Sequence, residues 1–521
     1  MTVKRRDLLQ AAVAAPLVAR GLTRGMSAAS SVAGKNIIVF MTDQERAIQH
    51  FPPGWATRHL PGFERLKRHG LVFSNAFCST CMCSPSRSTF LSGYFPAQHG
   101  VVDTLTFGNS FSSGEALLPL ALPNIATVLA AAGYTVSYKG KWHVSKPVAD
   151  PTDDTAWQPS DAGIYGFGRW NPPDAGENQD IDQFGGGRAN NDHRFMTEDG
   201  DPATGHEGVL AFLRNVASQQ QRQPFCLIVS LVNPHDVLAY PRTWKLGGYT
   251  SDSWIEGGID LPATWNEDLS TKPTAQRNLI PVLNNGLGRL RTRQQRLNYL
   301  NFYGNLMKQA DAYLARMLAV LGETNLLDET LIIRTADHGE VGLAHGGMRQ
   351  KAFNFYEETM TIPLVFSNPR LFPQTRRSET LVSHVDLLPT LASLVEAPES
   401  ALANWQGVDY SSVILNRNAT APQDEVVFTY DDIRCGQDTT ALVPPPNRVV
   451  AVRERRYKLA KYYDGDNVAE DEWEMYDLLR DRLELQNIAS PTYTPTSEEA
   501  AELARLKAKL ADIKATRLQP L

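Results

Sequence analysis

Five short segments, far apart in the chain, hold side chains able to do chemistry together. Cys83-Ser84-Pro85-Ser86-Arg87 sets a thiol and a guanidinium one helical turn apart. Thr42-Asp43-Gln44 and Asp337-His338-Gly339 supply carboxylates and an imidazole, the oxygen and nitrogen donors that hold divalent cations. Gly140-Lys141-Trp142-His143 and Asn233-Pro234-His235 add a lysine, a compact positive charge suited to an anion, and two imidazoles that exchange protons near neutral pH. Lys351 is a further cation downstream of Asp337. Taken singly, each has an ordinary reading. Asp43 fits a cap or turn residue, a histidine at a strand end is usually structural, and Cys83 fits a buried or disulfide thiol beside the turn that Pro85 makes.

The elements around them argue for one site. Apolar runs over 35–41, 133–138, 225–232 and 330–334 end at Asp43, Lys141, His235 and Asp337, and their length and β-branched content predict buried strands. Helical spacing lies between them over 124–132, 208–216 and 294–321. Strands alternating with helices predict an α/β fold, with a large, mixed but mostly parallel sheet flanked by helices on both faces. In such sheets ligand groups collect beyond the carboxyl ends of the strands, so the polar tails can converge. The stretches 150–201 and 247–288 are rich in Gly, Asp, Asn and Pro and read as long functional loops. After Pro398 the rhythm changes. Residues 426–430, 449–453, 457–463 and 474–478 read as short antiparallel strands, and 497–515 as a closing helix capped by Thr496 or Ser497. The expected organisation is a leader over 1–30, a catalytic domain over 31–400 and a smaller C-terminal α+β domain with an antiparallel sheet over 401–521.

Composition excludes several classes. With 42% hydrophobic and 21% charged residues the 521-residue chain has ordinary globular usage, which rules out a disordered or fibrous protein. Five cysteines are too few for a disulfide-built scaffold. A net charge of −6 disfavours a nucleic-acid partner, and no apolar run is long enough for an integral membrane protein. The N-terminus has a basic head, a short Ala-rich middle over 11–19 and small residues over 27–31, the three parts of an export signal. Its Arg5-Arg6-Asp7-Leu8-Leu9 resembles a bacterial twin-arginine signal, which implies a twin-arginine translocase as partner and a periplasmic or secreted location. Cys78 and Cys81 fit a disulfide or two ordinary thiols better than a metal site, because Cys226 and Cys435 form no second pair.

Cys83-Ser84-Pro85-Ser86-Arg87 resembles the Cys-x-Pro-x-Arg signature of type I sulfatases of the alkaline phosphatase superfamily. The other segments follow in that family's order across nearly the whole chain after the leader, ending with Lys351 and Tyr476-Asp477-Leu478. The resemblance implies that Cys83 is oxidised to formylglycine by a formylglycine-generating enzyme. The hydrated aldehyde would attack sulfur, form a covalent sulfo-enzyme intermediate and expel sulfate when its second hydroxyl loses a proton, which is covalent catalysis with a built-in exit. One divalent cation is implied, Ca²⁺ by family, with Asp43, Gln44, Cys83, Asp337 and His338 as its ligands. Many family members carry a second Asp at the position of Gln44 and Asn at that of His338. These differences shift the preference towards ions that accept nitrogen, such as Mn²⁺, with Mg²⁺ also possible, and resemble the choline-sulfatase and phosphonate-monoesterase branch. Lys141 and Lys351 would hold the sulfate oxygens, Arg87 the diol, His143 would be the base and His235 the acid at the leaving oxygen. The expected activity is hydrolysis of a small-molecule or sugar sulfate monoester, arylsulfatase-like. The alternatives are a phosphonate monoester or phosphodiester hydrolase on the same site, and a non-catalytic binder of sulfated glycans.

Overall fold

The computed structural model describes residues 32–521 apart from 108–111, 113, 177–187, 199, 201–204, 221, 254–257 and 438. The expected export signal, and part of the first long loop, lie outside the described residues.

Seven strands form the main sheet: β1 (Asn36–Asp43), β2 (Gly70–Phe77), β3 (Thr135–Gly140), β4 (Phe225–Pro234), β5 (Thr330–Ala336), β6 (Leu364–Ser367) and β7 (Arg376–Ser383), in the order β3-β4-β1-β5-β6-β2-β7. β3, β4, β1 and β5 run parallel, β2 pairs with β7 in parallel, and β6 is antiparallel to both its neighbours. This is the mixed, mostly parallel sheet anticipated. Alternation along β1 separates two cores: Ile37, Val39 and Met41 face the side covered by Ile125 and Leu129, while Ile38 and Phe40 face Leu314, Met317 and Leu321 of the long helix Arg293–Glu323. Both faces are therefore buried by helices, which is why β1 reads as a continuous apolar run.

The second sheet, β11-β10-β9-β8, is antiparallel and consists of β8 (Glu425–Tyr430), β9 (Arg448–Glu454), β10 (Tyr457–Tyr463) and β11 (Glu472–Asp477). The helix Ser497–Thr516 packs Leu506, Leu510 and Ile513 on its outer face, and Thr496 caps that helix by accepting from Glu499 N. The inner face, through Val426 and Phe428, joins the core of the main sheet. Between the two sheets lies a buried charge seam. The His345 ring stacks on Tyr356 at 3.5 Å, with Nδ1 2.8 Å from Glu267 and Nε2 3.3 Å from Glu358. Lys458 reaches Glu484 at 2.7 Å and Glu357 at 3.2 Å, and Arg453 reaches Glu357 at 3.0 Å.

Two features differ from expectation. β2, β6 and β7 carry no clear apolar run: β2 holds Ser74 and Asn75, β6 has four residues, and the first half of β7 is polar and partly exposed. The second long loop contains a helix, Thr274–Gly286, whose Pro281, Asn284, Asn285 and Gly286 hide the helical spacing of Leu279, Val282 and Leu283. The five cysteines are free thiols, so Cys78 and Cys81 are unpaired by disulfide. Among the described residues no helix is long and apolar enough to cross a membrane.

Candidate active site

The parallel strands β3, β4, β1 and β5 end on one edge of the sheet, and the buried helix Cys83–Ser92 is aimed at that edge. Cys83 Sγ lies 3.7 Å from Asp43 Oδ1 and 3.5 Å from His338 Nε2. His338 Nε2 lies 3.7 Å from an oxygen of each of Asp43 and Asp337. A hard cation with ligand bonds of 2.1–2.6 Å sets neighbouring donors about 3–3.7 Å apart, so these four groups have the spacing of a coordination shell. All four are buried, and their donor atoms lie within 4.8 Å of one another. The electrostatics agree: burial and the facing Asp43 charge push the Asp337 carboxyl up, as close carboxylates do. Burial and Cys83 also raise Asp43, but Lys141, His235 and Arg87 outweigh them and hold it well below the usual carboxylate range.

Cations ring this cluster. Lys141 Nζ lies 2.6 Å from Asp43 Oδ2 and donates to Gly176 O. Lys351 Nζ donates to Gln44 Oε1 at 2.6 Å. The other end of the Gln44 amide donates to Glu340 at 2.6 Å and to Gln350. Gln44 thus connects the end of β1 to the segment that carries Lys351. Four of the Arg87 hydrogen bonds run to Asp43, Asp337, Ser230 Oγ and Lys141 O, each at 2.7–3.0 Å, so this guanidinium locks the carboxylates in place. Burial opposes ionisation of the Cys83 thiol, yet Lys141 and Lys351, aided by His143 and His235, hold its pKa well below the ordinary thiol value.

The histidines are positioned from outside the signature. His143 Nε2 lies 3.0 Å from Leu105 O, and Leu105 N donates to Ser84 Oγ, so the residue after Cys83 helps to set the ring. The other ring nitrogen, Nδ1, is buried without a hydrogen-bond partner among the described residues. Asp174 accepts from the backbone N–H of both Trp142 and His143 at 2.7 Å. Gly140 has φ +103°, and a Cβ there would sit 1.9 Å from Ser230 O, which accepts from Lys141 N; only glycine lets β3 deliver Lys141 this close to β4. His235 pairs with Asp236 at 3.4 Å. Burial and Lys141 would lower it, but Asp43, Asp236 and Cys83 carry its pKa above the ordinary histidine value.

The structure therefore brings Asp43, Gln44, Cys83, Arg87, Lys141, His143, His235, Asp337, His338 and Lys351 around one point. Sequence reasoning missed Asp174, Ser230 and Leu105 and gave Glu340 no role. Glu340 binds Gln44, Tyr299 and the backbone N–H of Gly342 and Gln350. It follows Asp337-His338-Gly339 directly, and that adjacency was its signal. Asp174 stands after Pro172-Pro173 in a loop with no motif, so the sequence held no comparable cue. From Cys83 a cavity of about 150 Å³ opens past His235 and Lys351 towards the helix Thr274–Gly286.

Comparisons with known proteins agree with this geometry. A sequence model of the sulfatase family matches residues 35–397, and one described as N-sulphoglucosamine sulphohydrolase, C-terminal, matches 345–515. A choline-sulfatase of Rhizobium meliloti (strain 1021) is 26% identical over 479 residues, covering 89% of this chain and 84% of that one. A Delta 4,5-hexuronate-2-O-sulfatase of Bacteroides thetaiotaomicron is 24% identical, covering 83% and 80%. The solved phosphonate monoester hydrolase of Agrobacterium radiobacter shares the fold with a TM-score of 0.63 at 20% identity, covering 93% of this chain and 96% of that one. With the family match spanning most of its length, the chain belongs to the sulfatase family, enzymes that hydrolyse sulfuric esters.

Proposed function

We propose that this chain hydrolyses sulfate monoesters in a metal-dependent reaction in which residue 83 works as formylglycine. The observation that carries the reading is the position of Cys83. Asp43, Asp337 and His338 face it as a donor set, with Lys141, Lys351, His143 and His235 around it and a cavity leading away.

The donor set would hold one divalent cation, and Gln44 Oε1, with Lys351 on one lone pair, has a second to offer. Two carboxylates with one imidazole suit Ca²⁺, Mn²⁺ or Mg²⁺. When bound, the cation supplies a Lewis acid that polarises the sulfate and activates the nucleophile. A hydrated aldehyde at residue 83 supplies two hydroxyls on one carbon, one to attack sulfur and one whose loss of a proton releases the product. Lys141 and Lys351 hold non-bridging sulfate oxygens as charge grows on them. His235, set beside Cys83 and paired with Asp236, donates a proton to the leaving oxygen. His143, oriented through Leu105 and Asp174, accepts the proton of the second hydroxyl. Arg87 keeps the two carboxylates from moving apart. Residues 1–30 act as a twin-arginine export signal that places the enzyme in the periplasm or outside the cell, and a formylglycine-generating enzyme matures it.

A second reading has its own support: Gln44 and His338 stand where an acid and an amide are usual, and a phosphonate monoester hydrolase shares the fold. Sulfate monoesters carry one negative charge, and phosphate monoesters about two. The test is a set of sulfate, phosphonate and phosphodiester substrates with one common leaving group, assayed on enzyme whose residue 83 is shown by peptide mass to be converted. The sulfate should be turned over fastest, and a strong chelator should remove the activity until Ca²⁺ or Mn²⁺ is added back. A faster phosphonate or phosphodiester, or indifference to the chelator, overturns the reading.

A further inference from the structure

We infer that the alcohol half of the substrate is uncharged and hydrophobic, and that the helix Thr274–Gly286 with the turn after it selects it; this rests on the sulfatase reading above. The cavity that begins at Cys83 is walled beyond His235 by Leu238, Leu279, Val282, Leu283, Leu287 and Leu442. Val282, Leu283, Leu287 and Leu442 are half-buried, so part of their apolar surface is open and would be covered by a bound ester. Among the described lining residues there is no carboxylate and no Phe, Tyr or Trp. Among the described residues of the wall a quaternary ammonium therefore finds neither a counter-charge nor a ring face. Along this wall a sugar meets only three polar side chains among the described residues, Thr104, Thr243 and Gln437, and Thr104 Oγ1 already donates to Asp432 and one Gln437 N–H to the Gly436 carbonyl. Hydroxyls pressed against the leucine wall would lose water without replacement. Polar recognition is thus concentrated at the end that holds the sulfate, and the rest of the cavity, mostly apolar, rewards burial of apolar area.

The experiment uses the matured full-length enzyme. It measures kcat/KM for n-alkyl sulfates from ethyl to hexyl, for choline sulfate and for N-acetylglucosamine 6-sulfate. The expected rise is about fourfold per methylene until the cavity is full, with hexyl sulfate about 100-fold better than choline sulfate. Leu283→Asn should lower the hexyl-to-ethyl ratio about tenfold, and Leu283→Met should keep it. A ratio taken on one preparation is insensitive to any fraction that has failed to fold. A flat chain-length profile, or a choline or sugar ester better than hexyl sulfate, overturns the inference while leaving the sulfatase reading intact. Turnover of a phosphonate ester with no sulfate ester hydrolysed overturns both.

Discussion

At the strand ends, Asp43 and Asp337 stand across a gap with Cys83 and His338 between them, and a cavity reaches the cluster. At the seam between the sheets, Glu267, Glu357, Glu358 and Glu484 are also largely withdrawn from water, but His345, Lys458 and Arg453 sit directly against them. Both clusters withdraw charges from water, which is costly unless they are paired. The seam offsets most of that cost through its own ion pairs, although burial still pushes Glu484 up to about 7. At the reaction centre Arg87 and Lys141 hold the carboxylates, yet Asp43 and Asp337 also converge with Cys83 and His338 as a donor set, and Lys351 lines a cavity beside them. Density of buried charge therefore does not mark a site. A converging donor set next to an opening does.

The contrast can be broken in four ways, the largest effect first. Cys83→Ala should lower turnover by at least about 10⁴-fold while the melting temperature stays near that of the wild type, because the side chain is small and the helix around it is retained. Wild-type-like rates in this variant would end the mechanism. Lys458→Met at the seam should do the reverse. Stranding Glu357 and Glu484 should cost about 3–5 kcal/mol of stability in a denaturant titration, with kcat/KM per folded molecule nearly unchanged. A catalytic defect larger than the loss of folded protein would show that the seam is part of the site.

The third test uses pH. Burial lowers the His345 pKa, but Glu358 and Glu267 carry it up to about 9. The folded protein thus keeps this proton where the unfolded chain releases it near 6.5. The stabilisation is complete below 6.5 and disappears as pH rises to 9, at most about 3 kcal/mol in all. Unfolding free energies at pH 7 and 9.5 should differ by most of that amount, and His345→Gln should flatten the difference. Glu484, pushed up to about 7 chiefly by burial, loses its own contribution below this window, since a raised carboxyl favours the fold only while protonated. The smallest effect is expected from Gly140→Ala. Its methyl group would meet Ser230 O, so β3 or Lys141 must shift, and a displacement of this size costs about 10²-fold in kcat/KM. An unchanged rate would mean that Lys141 does not depend on that contact.

The same contrast explains what the sequence made legible. β1, β3, β4 and β5 are buried on both faces, so their apolar runs announce them, and the groups that follow them fall at one edge by topology alone. β7 is exposed over its first residues and pairs through backbone, a contribution that leaves no pattern in side chains. Asp43, Lys141, His235 and Asp337 are legible because each follows a strand, while Cys83 and His338 are legible through the resemblance of their segments to the sulfatase pattern. Asp174 acts through its oxygens on two backbone amides from a loop, and any loop aspartate looks alike in sequence. The wall helix reads as a loop in the sequence because its proline and asparagines interrupt the pattern of Leu279, Ile280, Val282 and Leu283. The seam is invisible in the sequence because its partners come from separate segments with no motif between them, such as Lys458 and Glu357, 101 residues apart.

β1 is hydrogen-bonded along both edges, to β4 and to β5, in a register that brings Asp43 beside Pro234 at its end. Adding or removing one residue there would turn every later side chain to the opposite face. The wall helix belongs to no such ladder; its first turn is tied by Gln276 to Tyr462 and Glu474, and its last by backbone carbonyls to Arg242 and Arg349. Point changes at the half-buried wall positions Val282, Leu283 and Leu287 can therefore accumulate over generations without disturbing the strand ends. Lineages descending from this gene have a route to new leaving alcohols that leaves the sulfate-handling end untouched.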